Sequence, residues 1–222
     1  MLNALSAGAL GFLLGLRHAT DADHVVAVSA IVARERTFSR AARVGALWGI
    51  GHSVTVLVLG GSIIAFRIVI PARVGLGLEF AVALVLIVLG FANLRPVGVE
   101  RDAAVAMPPH TWLERWRPLT VGVIHGLAGS AAVALLVLAV IPEIAWALAY
   151  LVIFGLGTIV GMTVVTWLVA VPAVYGARHV LGFQRWIRLA AGTLSLMFGI
   201  ALARTIVIDG GLFGATPGWS PR

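Results

Sequence analysis

The sequence predicts an all-α polytopic membrane protein with six transmembrane helices, arranged as two inverted three-helix repeats. Three observations carry this expectation. Of the 222 residues, 60% are apolar and only 11% charged, whereas soluble domains carry roughly 25% charged residues; the mean hydropathy is +1.04. Six segments meet the requirement of about 20 mostly apolar residues per spanning helix. Three short glycine-centred matches recur between the two halves at nearly one offset.

This composition excludes an ordinary soluble enzyme, a disordered chain and a nucleic-acid-binding module. The net charge is +7 and all 16 basic residues are arginine, but they fall between apolar runs, where such charges set membrane topology. No nucleic-acid partner is therefore expected; the lipid bilayer is. Cysteine is absent, which excludes disulfides and thiolate metal sites. The start, Met-Leu-Asn-Ala, has no basic region and is expected to belong to the first span rather than to a signal peptide.

The spans fall at roughly 3–32, 42–66, 74–94, 119–140, 144–171 and 187–208. Loop one covers 33–43, loop two 67–73 and loop three 95–118, which holds Pro96, Pro108 and Pro109. Loop four is the tight Ile141-Pro142-Glu143, and loop five covers 172–186. Near loops one, three and five stand four, four and three arginines, against two and none for loops two and four. The positive-inside rule then puts loops one, three and five in the cytoplasm and both termini outside the cell membrane. Trp112, Trp116, Trp146 and Trp186 fall near span ends, as an interfacial aromatic belt does.

Gly15-Leu-Arg-His18 matches Gly122-Val-Ile-His125 at an offset of 107. Gly49-Ile-Gly51-His52 matches Gly155-Leu-Gly157-Thr158 at 106, and the stretch from Gly90 to Arg95 matches that from Gly199 to Arg204 at 109. Three helices per copy invert the second copy relative to the first, a transporter architecture with its site at the repeat interface. The expected units are 1–94, a cytoplasmic linker 95–118, and 119–222.

The informative stretch is Arg17-His18-Ala19-Thr20-Asp21-Ala22-Asp23-His24. Neither 2–16 nor 25–33 spans a bilayer alone, so the cluster must lie within the membrane, where each central Asp or Arg costs roughly 2.5–3.5 kcal/mol. On a straight helix Arg17 and Asp21 can pair at i,i+4 and neutralise each other, which accounts for two of the five groups structurally. It leaves Asp23 with the imidazoles His18 and His24, a ligand set suited to Ni²⁺, Co²⁺ or Zn²⁺. His18, Asp23 and His24 point in different directions on a straight helix, and the histidines lie about 9 Å apart along its axis. Either the helix unwinds here, as discontinuous transporter helices do, or the ligands serve successive stations. His52 lies as far from the centre of loop one as His24 does, so an antiparallel hairpin brings the two to one depth. About the turn at Pro142, His125 and Thr158 are likewise level. Thr158 and Ser130 are pathway candidates, although Ser and Thr commonly bond their own helix backbone. Glu79, early in span three, fits either an entrance acid or an interfacial residue.

The string from Arg17 to His24, a His, four intervening residues and then Asp-His, resembles the signature of the nickel/cobalt transporter family. Gly51-His52-Ser53-Val-Thr-Val looks like that family's second motif, on the next helix. The later stretch His125-Gly-Leu-Ala-Gly-Ser130 is similar to the short, six-span, urease-accessory-type members, where the family typically has eight spans. The resemblance implies a secondary transporter of Ni²⁺ or Co²⁺ with His18, Asp23, His24 and His52 in recognition or translocation; these four are the expected metal ligands, and Arg17, Asp21, Ser53, His125, Ser130 and Thr158 are candidates behind them or along the path. No prosthetic group is implied. Two other functions remain open on the sequence: an intramembrane hydrolase using Ser130 or Ser53 with a His base, and a non-transporting accessory subunit that docks metalloenzyme maturation proteins through loop three. Metal ligation requires deprotonated imidazole, so transport should weaken as pH falls through about 6.5.

Overall fold

A computed structural model describes residues 4–33, 35, 37–95, 116–128, 141, 143–179 and 182–219. The described residues are helical with intervening turns and contain no strand. The helices are α1 (Ala4–His18), α2 (Ala22–Val32) and α3 (Phe38–Phe66), whose Val56–Gly60 turn is a π-helix. They continue with α4 (Ala72–Leu94), α5 (116–128), α6 (Ile144–His179) and α7 (Phe183–Arg204), which runs on through a π-turn at Thr205–Asp209.

Among the described residues, four helices are long and apolar enough to cross a membrane: α3, α4, α6 to Gly176, and α7 to Asp209. The expected first span is split into α1 and α2, too short singly. The fourth is seen only as α5, because 129–140 lie outside the described residues. So do most of loop three, with its prolines and Trp112, and Ser130.

Two boundaries differ from expectation. α3 begins at Phe38, before the Arg43 expected to close loop one, with Thr37 in extended conformation at its N-cap. α6 continues through Pro172 to His179 where loop five is expected. A proline removes one helical hydrogen bond, but leaving the helix in an apolar medium strands many more backbone groups, and Ala173 and Val174 beyond it are buried in the bundle.

α6 is the central post: α1 and α3 both pack along it, while α4 pairs with α7. Buried α2 residues (Val26, Ala27, Val28, Val32) join Trp48 of α3, Leu86 of α4 and Met162 and Val174 of α6 in the main core. The outward faces stay apolar, with Leu13, Val58, Val88, Val164, Leu168 and Met197 all exposed. That is the pattern of a chain whose surroundings are lipid, where polarity and not apolarity marks the interior.

Glycines set the closest approaches. A Cβ on Gly15 would overlap the Phe154 carbonyl oxygen, and one on Gly122 would overlap the Trp48 carbonyl oxygen. Likewise a Cβ on Gly157 would meet the backbone of Phe12, and one on Gly51 that of Leu119. Buried polar groups tie the rest: Asn93 Nδ2 donates to Ala30 O at 2.6 Å, and Ser195 Oγ to Leu86 O at 2.8 Å.

Between α2 and α3, burial pushes the Glu35 carboxyl up from its ordinary range, with nearby Arg40 drawing it partly back. An acid that holds its proton more tightly when folded favours the fold at low pH; that stability is lost as pH rises from the unfolded value through the raised one. The thermal midpoint in detergent should therefore fall across that window. Glu35→Gln should flatten the profile; an unchanged slope would disprove this assignment.

Candidate metal centre

The site starts from a helix end. α1 stops at His18, Ala19 and Thr20 form a turn, and Asp21 is extended (φ −60, ψ 146) before α2 begins. Thr and Asp side chains compete for backbone groups and weaken a helix; here Thr20 Oγ1 donates to Arg17 O at 2.6 Å. Of the two alternatives that the divergent ligand directions leave open, unwinding of the helix is present here. Because α1 ends there, Asp21 pairs with His18 (Nδ1 to Oδ2, 2.8 Å) rather than with Arg17.

The break folds His24 back beside His18, their ring centroids 4.8 Å apart. His52 of α3 completes a triangle, 5.1 Å from each by ring centroid. One ligating atom from each of His18, His24 and His52 lies within 4.8 Å of the others. The depth argument for His24 and His52 is thus met in space. Two nitrogens bound about 2.1 Å from one ion stand roughly 3.0–3.4 Å apart at right-angled or tetrahedral geometry. His18 Nε2 and His52 Nε2 are already 3.1 Å apart, while His24 needs a small rotation inward.

The proton positions follow from the partners. The His18 Nδ1–H donates to Asp21, so its Nε2 presents a lone pair toward His52 Nε2, 3.1 Å away; an ion bound by both nitrogens displaces the proton between them. His52 Nδ1 and both His24 nitrogens then make no hydrogen bond, although all are buried. His24 Nδ1 has only the Asp23 carboxylate, at 3.4 Å. Bare buried imidazole nitrogens are costly unless something is to be bound there. Asp23 itself is about one-third exposed and stands beside the triangle rather than within it.

Of the other sequence candidates, His125 is buried with its ring 5.6 Å from that of His24. Thr158 turns its hydroxyl to Phe154 O of its own helix, and Ser53 donates to Gly155 O, joining α3 to α6. Arg17 is exposed at the helix break. Sequence reasoning missed two aromatic walls. Trp48 lies 5.4 Å from His24, and Phe154 5.4 Å from His18. Each stands four residues before a singled-out position, His52 and Thr158, and so on the same helix face; that spacing was the available signal.

Fold and site together define a polytopic helical membrane protein with a cluster of imidazoles inside it. Residues 4–95 match the family model of NicO, the high-affinity nickel-transport protein. A urease accessory protein, UreH, from Bacillus sp. (strain TB-90) is 34% identical over 221 residues, covering 96% of each chain. The chain belongs to this nickel/cobalt transporter family, on the side of its urease-accessory-type members. No solved structure matches it.

Proposed function

We propose that the protein is a secondary transporter of divalent transition-metal ions, Ni²⁺ or Co²⁺, across the cytoplasmic membrane, with His18, His24 and His52 as ligands and Asp23 and Asp21 balancing charge. One observation carries this reading: three imidazoles from two helices, each with a ligating nitrogen within 4.8 Å of the others, at a break inside an apolar bundle. The family model and the urease-accessory relative support it. The ion is the cargo, exchanging hydration water for imidazole nitrogen, and it is not a resident cofactor.

The proposed architecture is six spans in two inverted repeats, 1–94 and 119–222, joined by a cytoplasmic linker 95–118, with loops one, three and five inside and both termini outside. Paired contacts support the inversion. Shifting Gly15 and Phe154 by the sequence offsets gives Gly122 and Trp48; shifting Gly157 and Phe12 gives Gly51 and Leu119. Both members of each pair of contacts are present. Gly90 lies against Gly192 and Leu196, and Gly199 against Ala83 and Ile87, which the offset of 109 exchanges. Helices related to themselves in this way, α4 with α7 and α3 with α6, run antiparallel, as a two-fold axis in the membrane plane requires.

A second reading has one favouring observation, the relative's description as a urease accessory protein. In it, loop three docks maturation proteins and the chain carries no ion. The hydrolase alternative loses Ser53, whose hydroxyl is committed to Gly155 O.

Flux of Ni²⁺, Co²⁺ and Zn²⁺ into proteoliposomes, for wild type and Asp23→Ala, tests the proposal. The expected result is saturable wild-type flux, lowered at least about tenfold in the variant. Equal flux in both proteins overturns the site; no flux in either favours the accessory reading.

A further inference from the structure

His125 on α5 is set up as a metal ligand. Its Nδ1 lies 3.1 Å from Val121 O in the same helix. That bond puts the proton on Nδ1 and leaves the Nε2 lone pair free, the tautomer a metal-bound histidine uses, with a carbonyl behind it. Nε2 is buried and has no hydrogen-bond partner. A histidine serving only packing would have that acceptor satisfied. A donor is close by, since the Trp48 ring stands 5.8 Å from His125, edge-on. Yet Trp48 Nε1 is also without a partner, so the two do not pair.

His24 links this residue to the triangle. Its ring is 4.8 Å from His18, 5.1 Å from His52 and 5.6 Å from His125, and neither of its nitrogens is held by a hydrogen bond. His24 is therefore the imidazole with neighbours on both sides and freedom to turn. His18 and His125 also occupy exchanged environments: Phe154 lies against His18 as Trp48 lies against His125, and both pairs are related by the repeat offsets. They differ in access. The His18 side chain is 16% exposed beside the helix break, while His125 is 2% exposed.

We infer that His24 and His125 form a second ligand station for the divalent cation, adjacent to the His18/His52 station. His24 passes the ion between them by changing partner. The station joins the two halves of the chain, so an ion held there is cut off from the entrance at His18. This inference rests on the transport reading for its purpose but not for its test.

Co²⁺ binding to purified protein in detergent gives that test, read by visible ligand-field absorption and by X-ray absorption, which reports imidazole neighbours. His52→Ala weakens the first station, so its remaining Co²⁺ binding should depend on His125. Adding His125→Asn, whose amide can keep the bond to Val121 O and hence the helix, should weaken that binding at least about tenfold and remove imidazole scattering. His125→Ala on the same background should do the same. Unchanged affinity and superimposable spectra in both double variants overturn the second station, whatever wild-type flux shows. Co²⁺ binding that depends on His125 in a protein without flux leaves the station standing and removes the transport reading.

Discussion

Alanine at His52 is expected to lower Ni²⁺ or Co²⁺ flux into proteoliposomes by on the order of 100-fold. His52 is fully buried and its Nε2 is the nearest neighbour of His18 Nε2, at 3.1 Å. Those two nitrogens already have the spacing of neighbouring ligands on one ion, so removing one leaves a donor pair that no small rotation restores. Truncation also opens a cavity, and a folding defect must be separated from a binding defect. His52→Gln serves for that: its amide can still bond His18 but is a poor ligand for these ions. The expected pattern is a thermal midpoint near wild type for His52→Gln with flux as low as for His52→Ala. Wild-type flux in either variant would remove His52 from the path.

The second large effect concerns assembly. Gly15→Leu and Gly122→Leu should each abolish monodisperse, folded protein in detergent, or lower its thermal midpoint steeply. In both cases the new side chain would overlap a backbone carbonyl of the facing helix, that of Phe154 or Trp48. Overpacking against a side chain costs about 1–3 kcal/mol because rotamers can shift; backbone has no such freedom, so the helices must separate. Gly77, where an added Cβ would meet nothing within 4 Å, is the control: Gly77→Ala should stay within about 0.5 kcal/mol. The proposed repeat exchanges Gly15 with Gly122, so their losses should be similar. A Gly122→Leu protein as stable as wild type would argue against the paired architecture.

Much of this is legible in the sequence because the membrane imposes simple rules. The ends of α4 and the start of α6 fall within two residues of expectation, since Arg73 and Arg95 mark the first and Pro142-Glu143 the second. The break after His18 is one of the two arrangements that ligand directions on a helix leave open, and the meeting of His24 with His52 follows from equal distances about a turn. What is not legible depends on side-chain direction across helices. Asp23 reads as a ligand in the string, while the ligating atoms gathered most closely are those of His18, His24 and His52, with Asp23 beside them. Trp48 and Phe154 resemble lipid-facing aromatics in composition, and only their spacing four residues before His52 and Thr158 sets them apart. Pro172 reads as a loop signal by rules suited to water, where a broken helix finds new hydrogen-bond partners.

The break between α1 and α2 also shapes the field an ion meets. A helix carries roughly half a negative charge at its carbonyl end and half a positive charge at its amide end. His18 stands at the carbonyl end of α1, which attracts a dication, while the amide end of α2 would repel one. Asp21 at the α2 cap and Asp23 in its first turn lie where they offset that repulsion. Under the proposed transport reading, neutralising either acid removes part of that offset, and entry of a doubly charged ion should weaken even where neither carboxylate touches it.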